Sequence, residues 1–240
     1  MKKTDFTALI IYEDDDFIVI NKPAFIATLG DRSTPDHTIL QLAKAYHSKV
    51  QVCHRLDKTT SGALILAKHA EAYRTVCQQF EKREITKVYH ALVEGIHHFK
   101  EELVSAPIDY TPRKGFAMVN SKGKVAATIF HTAKAFLGYT LVVCQPITGR
   151  MHQIRVHALH KKSPIVGDVQ YGGKPFYLSA LKKDYRLKKN TTEFPLIKRV
   201  ALHAYNLKFR NLSGKDIFVE APYAKDFMVL LKQLEKWGHS

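Results

Sequence analysis

The chain has 240 residues, 45% of them hydrophobic, which supplies a folded core and excludes global disorder. No run of 18 apolar residues occurs, so a membrane-spanning helix is excluded. MKKTDFTALIIYEDDDF at the N-terminus meets acidic residues where a secretory signal needs an apolar stretch. Lys and Arg number 37 against 22 Asp and Glu, a formal charge of +15 that attracts polyanions; in the cytoplasm, where this reading places the chain, the default polyanion is nucleic acid.

Residues 8–20 predict a β-hairpin, ALIIY and FIVIN around the acidic pause EDDD, ended by Pro23. Thr38 can cap a short helix over ILQLAKAY. VQVC reads as a strand leading into CHRLDKTTSGALILAK (53–68), where one carboxylate, Asp57, sits among His54, Arg55 and Lys58. Thr59, Thr60, Ser61 and Gly62 are turn formers, and ALILAK is the strand that leaves. Residues 70–83 place Ala70, Tyr73, Val76, Cys77 and Phe80 at helical spacing. TKVYHALVEGI alternates as a strand. Several strands follow between about 103 and 146, including ATIFHTA and YTLVVCQP. A helix over about 150–161, the strands ALHAYNLKFR and DIFVEAP, and a closing helix from about 225 complete the chain.

Strands outnumber helices and many are joined by short turns. The pattern predicts an α+β fold with a mixed, mostly antiparallel central β-sheet flanked by a few helices, in a single domain. Residues 174–199 form a basic insertion, with Lys174, Lys182, Lys183, Arg186, Lys188, Lys189, Lys198 and Arg199 against Asp184 and Glu193. Interleaved tyrosine and phenylalanine make it a candidate phosphate-contacting segment; a solvated surface loop is the alternative. Cys53, Cys77 and Cys144 are too far apart for a CxxC site and odd in number, so reduced, buried thiols are expected.

GRMHQIRVHALHKK, from Gly149, contains an arginine in an apolar place. Counting 100° per residue from Met151, Ile154, Ala158, Leu159 and Val156 share one arc, and Arg155 falls at about 40°, inside it. Gln153, His157, His160, Arg150 and Lys161 take the opposite face. A guanidinium facing a core demands an acid. The wheel leaves two readings open, a structural salt bridge to any acid or an arginine that positions a catalytic carboxylate. His157 and His160 lack a nearby carboxylate or cysteine, and no HExxH occurs, so no metal is expected.

Four stretches, in this order, resemble the motifs of the RluA-type pseudouridine synthases: HRLDKTTSGALILAK (54–68), KVYHALVEG (87–95), GRMHQIRVH (149–157) and LHA (202–204). The similarity runs from FIVINKP to about Pro222. It implies an RNA pseudouridine synthase, isomerising a uridine of rRNA or tRNA, with Asp57 as the essential catalytic aspartate. Arg155 would pair with that aspartate, Tyr89 would lie against the target base, and Arg55 would help displace that base from the RNA. The resemblance further implies an active site in a basic cleft and no cofactor. Lys58, Lys87, Arg150, Lys182, Lys183, Lys188 and Lys189 join Arg55 as expected RNA contacts; a monomer is expected, with neither membrane nor metal as partner. Three departures stand out. Met151 replaces a common small hydroxyl residue, with a packing change expected. Phe25 stands where a glycine is usual after NKP, a change expected in a substrate-facing loop. The chain begins at the catalytic hairpin, so no separate N-terminal RNA-binding domain is expected.

Pseudouridine formation breaks the bond from uracil nitrogen to ribose, turns the base and rejoins it through carbon 5. The carboxylate must be ionised, which burial opposes and a close cation favours. A non-enzymatic RNA-binding module on the same fold would have lost Asp57, Tyr89 or Arg155, and all three are present. A glycosidic hydrolase usually needs two carboxylates, and these motifs hold no second one.

Overall fold

The acidic pause builds its turn through Asp14, whose carboxylate accepts the backbone N–H groups of Asp16 and Phe17 at 2.9 and 2.6 Å. That folds β1 (Ile10–Glu13) against β2 (Phe17–Lys22) as an antiparallel pair. The structure is a computed structural model describing residues 4–30, 37–182, 184–187 and 190–238. After the hairpin come α1 (Ile39–Tyr46), β3 (Gln51–Val52), β4 (Ser61–Ala67), α2 (Ala70–Glu81) and β5 (Thr86–Glu94). Then follow β6 (Glu102–Ser105), β7 (Ile108–Thr111), β8 (Phe116–Val119), β9 (Ala127–Phe136) and β10 (Tyr139–Pro146). The remaining elements are α3 (Gln153–His160), β11 (Leu202–Arg210), β12 (Asp216–Glu220) and α4 (Lys225–Trp237). The architecture is α+β with a mixed, mostly antiparallel central sheet, as the sequence predicts. No helix among the described residues is long and apolar enough to cross a membrane.

The chain forms two compact units, Met1–Val88 with Ala204–Tyr223, and Tyr89–His203 with Ala224–Ser240. In the first, β2 pairs antiparallel with β4, β3 pairs with the far end of β4, and β12 pairs with β11. All seven residues of β4 are buried, which explains why ALILA shows no polar alternation. Gly62 opens the strand at φ 117°, and a Cβ there would stand 2.1 Å from the Ala204 carbonyl oxygen, so only glycine fits. Thr38 and Gln41 form a reciprocal capping box on α1. α2 lays Ala72 and Val76 on Phe17, Val19, Ala63 and Ile65. The predicted face of α2 shifts: Ala70 is exposed and Gln79 is buried. Gln79 avoids a desolvation penalty because its side-chain amide donates to the Arg210 carbonyl (2.7 Å) and accepts the Arg210 N–H (2.9 Å).

In the second unit β10 lies between β5 and β9, and β6 pairs with β9, all antiparallel; β7 and β8 form a separate ribbon. α3 departs from the predicted wheel, being buried from Gln153 through Ala158, while Leu159 is exposed. Gln153 bonds the Thr148 and Thr128 hydroxyls, the Arg150 N–H and the Ala127 carbonyl; His157 bonds Thr128 and the Ala106 carbonyl. Both polar side chains are therefore satisfied inside the unit rather than facing solvent. Arg199, counted with the basic insertion, is likewise buried; its Nε and Nη2 meet Asp226 of α4 at 2.7 and 2.8 Å. The insertion leaves and returns at Phe176 and Ile197, which form an isolated bridge.

Candidate active site

The loop between β3 and β4 is fixed through its main chain. Thr28 Oγ1 donates to the Leu56 carbonyl (2.9 Å) and accepts the Leu56 N–H (3.2 Å), and the Leu56 side chain is buried. Phe25 N–H donates to the Lys58 carbonyl (2.7 Å), and Thr60 N–H closes a turn on the Asp57 carbonyl (3.0 Å). With Leu56 pointing in, Arg55 and Lys58 are exposed and Asp57 is half-buried between them. His54 does not join this cationic set. Its Nε2 accepts the Ile65 N–H at 3.2 Å and its ring lies 4.9 Å from Phe80. Burial, and secondarily the charge of Lys87, pull it down to about 3, so it is a neutral packing residue. The Lys87 ammonium sits over the Phe80 ring at 5.7 Å, and burial lowers it to about 8.

Tyr89, Arg150, Arg155 and Lys182 belong to the second unit. Tyr89 is half-buried on β5, in register with Cys144 of β10. Arg150 Nε donates to the Val125 carbonyl at 3.0 Å. Lys182 lies 5.0 Å above Trp237 of α4. Lys183, Lys188 and Lys189 lie outside the described residues.

Arg155 receives the carboxylate the wheel demands, and within its unit that acid is Asp168. Nε reaches one Asp168 oxygen at 2.6 Å and Nη2 the other at 2.7 Å, a bidentate pair. Nη2 also donates to Gln170 at 2.9 Å, and the guanidinium lies 4.7 Å from the Tyr171 ring. Tyr171 is itself fixed: its hydroxyl accepts the Ala117 N–H and bonds His152 Nδ1, and its ring stacks on Phe116. Asp168, Gln170 and Tyr171 escaped the sequence reading. The signal available was GDVQYGG, an acid between glycines of left-handed backbone (Gly167 φ 75°, Gly172 φ 81°) that fold it back toward α3.

Among the described residues no group of three His, Cys, Asp or Glu stands where a metal would bind. Cys144 is buried and Cys53 and Cys77 half-buried; burial raises the Cys53 and Cys144 thiols, which disfavours reactive thiolates. The first unit thus offers one carboxylate on a rigid loop rimmed by exposed cations. The second offers an arginine locked by an acid, an amide and an aromatic face.

The family described as RNA pseudouridylate synthase matches residues 16–160. Ribosomal large subunit pseudouridine synthase C of Buchnera aphidicola is 35% identical over 235 residues, covering 95% of this chain and 71% of that protein. Ribosomal large subunit pseudouridine synthase D of Xanthomonas campestris is 36% identical over 250 residues, covering 97% and 71%. Among solved structures, human RNA pseudouridylate synthase domain containing 4 superposes with a TM-score of 0.70 at 26% identity, covering 96% of this chain and 95% of that one.

Proposed function

We propose that this chain, which belongs to the RNA pseudouridylate synthase family and is an RNA pseudouridine synthase, isomerises a uridine of large-subunit ribosomal RNA with Asp57 as its catalytic carboxylate. The observation that carries the assignment is the matched stretch, which contains the three ordered motifs with Asp57, Tyr89 and Arg155. Ribosomal RNA as substrate is supported by the names of the two relatives, and a cytoplasmic place is part of the same proposal.

The reaction breaks N1–C1′, turns the freed uracil and joins C5 to C1′, releasing the hydrogen of C5; nothing is oxidised. Asp57 must be ionised to act on the sugar or base. Exposed Arg55 and Lys58 stand close to it in the sequence of the same loop. Arg155 is assigned to the same charge by the resemblance. A guanidinium has five donors in a fixed fork, and Asp168 and Gln170 engage its Nε and Nη2. Tyr89 is assigned to the target base through its ring and hydroxyl. Exposed Arg55 is assigned to base displacement, which costs a few kcal/mol of unstacking.

Transcribed large-subunit ribosomal RNA carrying uridine tritiated at C5 tests the reading, with transfer RNA alongside. Wild-type protein is expected to release tritium from the ribosomal transcript, and Asp57→Asn to bind it and release none. Turnover by Asp57→Asn sinks the assigned role of Asp57, and free uracil among the products would mark a hydrolase instead.

A further inference from the structure

Phe25 occupies backbone that disfavours it. Its φ is 69°, in the left-handed region where a β-carbon crowds the following carbonyl. Core packing does not compensate, since the residue is 54% exposed. The surrounding turn nevertheless enforces this geometry. Lys22 is fully buried, and its Nζ donates to the Pro23 and Ile26 carbonyls at 2.9 and 2.8 Å, gripping the turn on both sides of Phe25. The Phe25 N–H is itself bonded to the carbonyl of Lys58, the residue after Asp57. A large exposed ring is thus tied by a main-chain bond to Lys58, in the loop that carries Asp57 and the exposed Arg55. Strained backbone persists where surrounding structure over-determines it, and such positions cluster at binding sites. An exposed aromatic beside cations is the chemistry that holds unpaired nucleobases.

We infer that Phe25 is a substrate-positioning residue whose ring stacks on a nucleobase adjacent to the target uridine, while Arg55 and Lys58 hold the neighbouring phosphates. This rests on the RNA-modifying function proposed above. The base would be gripped through its face, so the contact contributes affinity and register more than choice among the four bases.

The test compares wild type with Phe25→Trp, Phe25→Leu and Phe25→Gly. Binding to a large-subunit ribosomal RNA transcript is read by filter retention, kcat and KM by tritium release, and folding by thermal melting. Loss of stacking in the Leu and Gly variants should weaken binding and raise KM about 5- to 100-fold with kcat nearly unchanged, whereas Trp should stay within about threefold of wild type. Phe25→Gly should melt no lower than wild type, because it removes the backbone strain; that separates lost stacking from lost structure. Wild-type affinity in the Leu variant, or a Trp variant as weak as Leu, overturns stacking. Phe25-dependent binding without wild-type tritium release supports stacking and overturns the proposed reaction. Turnover with a KM indifferent to Phe25 does the reverse.

Discussion

Removing Asp168 tests why an arginine can lie inside the second unit. The side chains of Arg155 and Asp168 are 7% and 1% exposed, so neither charge is solvated without the other. Asp168→Ala deletes two charge-assisted bonds of 2.6 and 2.7 Å, each of a kind that contributes about 1.5–3 kcal/mol, and takes away the carboxylate that grips the buried guanidinium. Gln170 and the Tyr171 face remain, and a desolvated cation–π contact offsets about 2 kcal/mol. The expected loss is therefore about 3–4 kcal/mol, or a melting temperature lower by about 6–16 °C for a protein of this size. Urea unfolding of Asp168→Ala, Arg155→Met and the double variant forms a double-mutant cycle. Arg155→Met with Asp168→Leu should lose less than Asp168→Ala alone, since no charge is then stranded. A loss below about 1 kcal/mol in Asp168→Ala, the range of exposed pairs, would refute the reasoning.

His54 stays neutral in the folded protein down to about 3, while the unfolded chain takes up a proton below 6.5. Stability should therefore fall with pH from 6.5 toward 3, by at most about 1.4 kcal/mol per pH unit. Urea midpoints should show His54→Asn flattening that slope, and identical slopes would refute it. Lys87 titrates near 8 folded against 10.5 unfolded, so its buried charge opposes folding fully below pH 8, and the penalty fades as pH rises to 10.5. Lys87→Met should stabilise by up to about 3 kcal/mol at neutral pH, with the gain shrinking across that window in denaturant titrations; a gain independent of pH would refute the cause. Neutralising Lys182, Lys183, Lys188 and Lys189 should weaken RNA binding and flatten its salt dependence by about 0.7–0.9 in slope for each phosphate no longer neutralised. An unchanged slope would mean the insertion does not touch RNA.

Local pattern was legible where neighbours in sequence supply the partners. The Asp14 turn, the Thr38 capping box and the apolar run of β4 each follow from residues within a few positions. The wheel over α3 found the anomaly at Arg155 but misread Gln153 and His157. Their partners Ala127, Thr128 and Ala106 lie 25 to 51 positions away, and a wheel carries no such information. His54 was grouped with the cations for the same reason. Ile65, whose N–H it accepts, becomes its neighbour only after the chain turns at Asp57–Thr60. Phe25 shows the opposite case: the resemblance marked it as a departure, and the positive φ gives the physical reason a glycine suits that position.

The two halves of the proposed chemistry are built so differently that substitutions in them test different things. The bonds that fix the Asp57 loop, from Thr28, Phe25 and Thr60, end on main-chain atoms of Leu56, Lys58 and Asp57. A change of the Asp57 side chain leaves all of them in place, and the amide of Asn preserves its shape. Lost activity in Asp57→Asn with melting retained is therefore attributable to the carboxylate. Arg155 is held through its side chain, by Asp168, Gln170 and the Tyr171 ring. Arg155→Ala strands the Asp168 carboxylate and opens space against Tyr171, so its loss of activity mixes chemistry with unfolding. Arg155→Lys keeps the charge while giving up the planar fork, and with it the bidentate grip on Asp168. If melting is retained and turnover falls, the arginine acts on the reaction; if both fall together, its role is to hold the unit in shape.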